Sequence, residues 1–222
     1  MTTMTQSSNE RIVMLLAGTV AATFFVSRTM ELTWLNVVLK PIPVLALWYL
    51  VSRWSSERST KLIGFGFGFS ALGDVLLEIP ANLFVFGLGA FLLAHVLYIA
   101  AFLSRSTAAA PLRALPFIVW CGGMFMWMKP GLGPMLVPVA LYVTVIGTML
   151  WRAAALFSLS DLSTRWALGG AVVFALSDSI LAVNRFIEPF DGASHLIMVT
   201  YWGGQLCLAL STRPYWSKIK KA

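Results

Sequence analysis

The stretch Leu62-Ile-Gly-Phe-Gly-Phe-Gly-Phe-Ser-Ala-Leu-Gly-Asp74-Val-Leu-Leu-Glu-Ile79 is apolar throughout, except for one carboxylate in its interior and a second one turn later. An α-helix of this length extends about 27 Å, close to the ~30 Å hydrocarbon core of a bilayer. The stretch therefore reads as a membrane-crossing helix that carries Asp74. Its glycines, Gly64, Gly66 and Gly68, form a small-residue stripe suited to close helix packing. Seven further apolar runs surround it, each closed by charges or by Pro and Gly: Ile12–Ser27, Trp34–Val51, Leu83–Leu103, Leu115–Met128, Met135–Leu156, Trp166–Phe186 and Leu196–Leu210. Crossings of ~20 residues each would use about 160 residues. The 222-residue chain then has room only for loops, a polar N-terminal lead 1–11 and a basic tail 211–222 around a single transmembrane domain 12–210. The expected fold is all-α, a polytopic bundle of eight transmembrane helices, with any chemistry placed among the helices.

Composition agrees. The chain is 59% apolar and 11% charged, with a mean hydropathy of +0.81, which excludes an ordinary soluble domain. A net charge of +7 suggests nucleic acid at first sight, but the basic residues lie scattered between apolar runs, so no nucleic-acid partner is expected. They read instead as topology determinants. With an even number of crossings, twelve of the sixteen Lys and Arg fall on the side of the termini, and Arg28, Lys129 and Arg185 on the other. Both termini are then expected in the cytoplasm. The first run is kept as a helix rather than a signal peptide, because Arg28 closes it with no evident cleavage site. Cys121 and Cys207 lie in apolar runs without ligand spacing and read as inert buried thiols, so neither a metal nor a disulfide is expected. Walker, serine-elbow and zincin patterns are missing from the sequence, and no cofactor is called for.

Ala71-Leu-Gly-Asp74-Val-Leu-Leu77 echoes Ala175-Leu-Ser-Asp178-Ser-Ile-Leu181 four crossings later, which suggests a 4+4 parallel internal repeat. Both copies hold an aspartate. Such a residue costs about 2.5–3.5 kcal/mol at a helix centre and reads as functional by default. The bland alternative is a salt bridge to Lys40 or Arg185 that fixes packing alone. Counting residues from the helix ends puts Asp74, Asp178 and Lys40 at similar levels in the outer half of the bilayer, with Glu78 one turn beyond Asp74 and Arg185 two turns beyond Asp178. A polar cavity opening toward the exoplasmic side follows. Lys40 precedes Pro41, with Pro43 close behind, so its helix is expected to kink there. The ammonium then either snorkels to the interface or serves as counter-ion to a carboxylate or a lipid phosphate. His95 with Tyr98, and Tyr201 and Gln205, are candidates to orient the carboxylates; His195 reads as interfacial and Trp202 as packing.

Four segments together resemble the lysoplasmalogenase family, also called YhhN-like. They are Ser70-Ala-Leu-Gly-Asp74-Val-Leu-Leu77; Gly87-Leu-Gly-Ala-Phe91-Leu-Leu-Ala-His95-Val-Leu-Tyr98; Gly170 through Phe174-Ala-Leu-Ser177-Asp178-Ser-Ile-Leu181 and Asn184-Arg-Phe186; and Tyr201-Trp202-Gly-Gly-Gln205, with Lys40-Pro41 also fitting. The resemblance implies an eight-helix bundle that hydrolyses the vinyl ether bond of lysoplasmalogens to a fatty aldehyde and a glycerophosphoethanolamine or glycerophosphocholine. It places the acidic catalytic residues at Asp74 and Asp178. Vinyl ethers resist base but cleave once a proton reaches the β-carbon. Two nearby carboxyls in a low-dielectric site resist ionising together and so retain a proton between them. One is expected to protonate the alkene while the other steadies the oxocarbenium ion, as in glycosidases. Lys40 and Arg185 would hold the phosphate, and Glu78, His95, Tyr98, Asn184, Tyr201 and Gln205 would bind or orient. The partners implied are a lysophospholipid substrate and membrane lipids.

Two other readings were weighed. An intramembrane aspartyl protease needs Gly-x-Gly-Asp, and Ala71 stands at its first glycine. A proton-coupled transporter would use the two aspartates as relays. The expected location is a multi-pass protein of a bacterial inner membrane, or of the endoplasmic reticulum in a eukaryote; the ending Lys218-Ile-Lys220-Lys221-Ala222 resembles a dilysine signal.

Overall fold

The computed structural model describes residues 2–214, with side chains from Ser8 onward; the Lys218, Lys220 and Lys221 cluster lies outside the described residues. Among the described residues every regular element is helical: α1 (Thr2–Thr29), α2 (Thr33–Leu39), α3 (Ile42–Trp54), α4 (Arg58–Glu78), α5 (Phe84–Arg105), α6 (Leu115–Met128), α7 (Leu136–Leu156), α8 (Leu162–Phe186) and α9 (Ala193–Leu210). Short 3-10 turns at Pro111–Ala114, Lys129–Gly131 and Gly133–Met135 extend both ends of α6 and the start of α7.

Among the described residues seven spans are long and apolar enough to cross a membrane, with α2 and α3 counted as one. The eighth expected crossing corresponds to α9, 18 residues long, in which His195, Thr200, Tyr201, Trp202 and Gln205 dilute the apolar character. It runs antiparallel along α8: Ser177 Oγ donates to Ile197 O at 2.9 Å, while Gly170 lies near Gly204 and Leu208. Two expectations change in detail. Residues 2–11 of the polar lead belong to the first helix, Thr2–Thr29. The Trp34–Val51 run is two helices, because Pro41 has no N–H to continue the ladder. Lys40 N–H closes α2 on Asn36 O and α3 restarts at Ile42, while Lys40 and Pro41 both stay in the αR region, so the hydrogen-bond ladder is interrupted at the place where the kink is expected.

Packing is tightest between α4 and α5 and between α8 and α9. Both contacts depend on missing side chains. A Cβ on Gly66 would strike the Tyr98 ring, and a Cβ on Gly204 would lie 2.8 Å from Phe174 N. The helix backbones thus approach as small residues allow in lipid, where van der Waals contact rather than water exclusion drives association. The core joins Phe24, Val44, Ile63, Phe67, Tyr98, Phe102, Met149 and Phe174, while Leu15, Val119, Val137 and Val199 face outward. Outside the core, α6 stands apart, with 6% of its span buried.

Polar ties close the two ends. At the end bearing the chain termini, Arg213 Nη2 donates to Glu10 Oε2 at 2.8 Å and Trp54 Nε1 to Glu10 Oε1 at 2.9 Å. There also Arg152, 4% exposed, donates to Ala108 O and Ser106 O, fixing the loop after α5. At the opposite end Arg28, Lys40 and Glu78 meet.

Candidate active site

Asp74 sits on α4, where Gly73 behind it admits the Phe91 ring of α5. Its residue exposure is 1%, and Tyr201 of α9 donates to Oδ2 at 2.8 Å. A second polar group lies in the same core: Tyr98 OH donates to Gln205 Oε1 at 3.0 Å and shares a 3.2 Å contact with Ser70 Oγ. Gln205 therefore engages Tyr98 and not a carboxylate, and the orienting bond to Asp74 comes from Tyr201. Asp74 and Ser70 come from α4, Tyr98 from α5 and Gln205 from α9, and the Gly66 contact holds α4 and α5 close together.

Asp178, on α8, is held differently. Tyr142 of α7 donates to its Oδ2 at 2.7 Å, and His95 Nε2 of α5 lies 3.8 Å from the same oxygen. His95 is fully buried, its ring edge-on to Phe174 at 4.8 Å and to Tyr142 at 5.3 Å. Neither of its ring nitrogens has a hydrogen-bond partner among the described residues. The Asp178 side chain is 18% exposed, against the near-complete burial of Asp74, because it borders a cavity between α5, α6, α7 and α8. The cavity runs from Phe84 and Phe186 at the outer rim to Trp120 and Ile146 at the inner end.

Among the described residues no hydrogen bond joins the two carboxylates; each is taken by its own tyrosine. Phe91 and Phe174 pack 6.1 Å apart, both edge-on to the Tyr201 that holds Asp74. Each of the two carboxyls expected to share a proton is thus held by a tyrosine of a different helix. Neither aspartate is ion-paired to Lys40 or Arg185 among the described residues, so the packing salt bridges weighed above do not form.

Lys40 Nζ instead reaches Glu78 Oε2 at 3.0 Å, and Arg28 Nη1 reaches Glu78 Oε1 at 2.5 Å. Arg28 is the most exposed of the three. The group has a net formal charge of +1 and lies one turn outward of Asp74 on α4. Arg185 places its guanidinium 4.9 Å over the Phe84 ring, at the rim of the cavity. Asn184 Oδ1 accepts from Phe190 N at 3.2 Å and ties down the α8–α9 loop. His195 stacks on Phe25, and Trp202 packs on Phe24 and Phe25.

Sequence reasoning missed Tyr142 and Arg28. A tyrosine within an apolar span is a legible polar signal, since a buried phenol needs a partner, but the identity of that partner depends on how α7 packs beside α8.

The YhhN family model matches residues 35–212. Lysoplasmalogenase TMEM86A of Bos taurus is 32% identical over 190 residues, covering 81% of this chain and 78% of its own. Lysoplasmalogenase TMEM86B of Homo sapiens is 36% identical over 183 residues, covering 82% of this chain and 76% of its own. A lysoplasmalogenase of Mycobacterium bovis is 42% identical over 148 residues, 63% of this chain and 55% of its own. No solved structure matches.

Proposed function

Because the chain belongs to the YhhN family, we propose that it is a membrane-embedded hydrolase that cleaves the vinyl ether bond of lysoplasmalogens. Water is consumed, and a fatty aldehyde and glycerophosphoethanolamine or glycerophosphocholine are released. The names of its relatives favour this over the proton-coupled transporter. The observation that carries the reading is the carboxyl of Asp178, held by Tyr142 at the wall of an apolar cavity.

In this reading the protonated Asp178 gives its hydrogen to the β-carbon of the vinyl ether. The alkene electron pair forms the new C–H bond, and the positive charge spreads over the α-carbon and the ether oxygen. The carboxylate left on Asp178, reinforced by that of Asp74, stabilises that cation; a low-dielectric interior strengthens both attractions. Water adds to the α-carbon and returns a proton to Asp178, and the hemiacetal falls apart to aldehyde and alcohol. General acid catalysis of this kind contributes roughly 10²–10⁴-fold. Tyr142 and Tyr201 hold the two carboxyls, and His95 packs beside Asp178. Lys40 with Arg28, and Arg185 at the rim, attract the phosphate.

Both termini are assigned to the cytoplasm. The positive-inside count supports this, as does the Glu10–Arg213 pair joining the start of α1 to the end of α9. The 4+4 repeat draws support from a reciprocal pattern: Tyr201 of α9 serves Asp74 of α4, and His95 of α5 approaches Asp178 of α8. The membrane proposed is a bacterial plasma membrane, in keeping with the mycobacterial relative.

The test is purified protein in detergent, supplied with alkenyl or acyl lysophospholipid and no gradient. Aldehyde release from the alkenyl lipid, absent with Asp178→Asn, is expected. No release from any alkenyl lysolipid, combined with proton-dependent uptake in sealed vesicles, would favour the transporter instead.

A further inference from the structure

The cavity at Asp178 has an unusual wall. Its two hydroxyl groups are already engaged: Tyr142 OH donates to Asp178, and Ser179 Oγ donates to Ala175 O at 2.8 Å. Beyond the carboxyl, a guest meets hydrocarbon, aromatic rings, sulfur and the Trp120 indole, and among the described lining residues there is no Lys or Arg to hold a phosphate. Along α8 the lining runs from Ala175 to Phe186, about 16 Å at 1.5 Å per residue. One side is made by α6, which presents Trp120, Cys121, Met124 and Met128. That helix is the least buried of the spans. Its neighbouring glycines, Gly122 and Gly123, have nothing within 4 Å of where a Cβ would sit, so close packing does not demand them. Two adjacent glycines inside a helix each cost about 0.8–1.0 kcal/mol relative to alanine, and thioethers adapt to irregular guests. The wall formed by α6 is thus both lipid-facing and easily deformed.

We propose that the cavity beneath α6 is a hydrocarbon-binding site, which receives from the bilayer, past α6, the part of the lysolipid chain next to the bond presented to Asp178. The inference rests on the lysoplasmalogenase reading for the identity of the guest, while the site itself is defined by its walls. Head-group recognition then falls to the charged residues at the outer end, and the cavity distinguishes substrates by the shape of the first part of the chain.

Cys121, which lines the cavity beside Gly147, is a built-in reporter. The experiment uses the full chain carrying Cys207→Ser, in detergent, with an alkyl methanethiosulfonate as the thiol probe. The competitor is a saturated alkyl lysophospholipid, whose ether bond is not hydrolysable. The alkyl lysolipid should slow labelling of Cys121 at least fivefold, and glycerophosphoethanolamine alone should not. Labelling with a long alkyl reagent should remove at least nine-tenths of hydrolysis, with Cys121→Ser insensitive to the reagent. Met124→Trp, which fills the cavity, should raise KM about tenfold and serves as the second test. Unchanged labelling with the alkyl lysolipid, or full hydrolysis after labelling, overturns the proposal while leaving the hydrolase reading intact. Protection without any aldehyde release from alkenyl lysolipid leaves the site standing and sinks the hydrolase.

Discussion

Tyr142→Phe separates the orientation of a catalytic carboxyl from the shape of its pocket. The substitution removes one oxygen atom and keeps the ring that packs edge-on to His95 at 5.3 Å. What is lost is the 2.7 Å bond to Asp178 Oδ2. The remaining neighbour, His95 Nε2 at 3.8 Å, is too distant to replace it. Polar contacts between membrane helices contribute ~0.6 kcal/mol on average and up to ~1.7 kcal/mol, so stability should fall by about that much. The catalytic effect should be larger. A carboxyl free to swing loses alignment with the β-carbon, and misplacement of order 1 Å costs up to ~10²-fold. The expected outcome is a fall in kcat of about 10–100-fold, equivalent to ~1.4–2.7 kcal/mol, with KM within about twofold because the cavity wall is unchanged. Steady-state kinetics on a purified alkenyl lysolipid, run beside a thermal melt, measures both. If kcat stays within twofold of wild type, the argument that Tyr142 aims Asp178 fails. A rise in KM matching the whole loss would assign the residue to the pocket wall instead.

Asp74→Asn keeps an acceptor for Tyr201 and should leave the protein folded while lowering kcat by at least ~10²-fold; near-full activity with an unchanged melt would remove Asp74 from the machinery. Lys40→Ala leaves Glu78 with Arg28 as its remaining ion-pair partner. It should raise KM for lysolipid several-fold with kcat largely kept, and a fall in stability alone would make the lysine a packing element. Gly204→Ala drives a methyl against the α8 backbone at Phe174. Overpacking of this kind costs about 1–3 kcal/mol. A thermal melt should show that loss, and parallel assays should show activity falling with it, because separating α9 from α8 moves Tyr201 relative to Asp74.

The spans, the kink at Lys40-Pro41 and the two aspartates were legible in the sequence for one reason. In a chain where 11% of residues are charged, each charge or proline within an apolar run stands out. Position along a helix was legible too, so Asp74 and Glu78 were correctly placed one turn apart. The choice of partners was not. Lys40 pairs with Glu78 rather than an aspartate, since the interruption at Pro41 leaves it at the end of α2, level with the outer carboxylate. Tyr142 reaches from α7 to α8 and Tyr201 from α9 to α4, across helix pairs other than the α4–α5 and α8–α9 pairs that the glycines join. Apolar periodicity reports burial on one helix and carries no information about which neighbour lies opposite. The polar cavity expected from the sequence differs for the same reason: the cavity beside Asp178 is lined mainly by apolar side chains of α5 to α8 with Leu77 of α4, a property of several helices together.

The central claim is that a carboxyl in the bundle protonates carbon, and hydrolysis in deuterium oxide reads this directly. Aldehyde released by the purified chain, trapped at once and examined by mass spectrometry, should carry one deuterium on the carbon next to the carbonyl, and Asp178→Asn should yield none of that product. Aldehyde formed without deuterium at that carbon, or in equal amount by Asp178→Asn, would contradict the account.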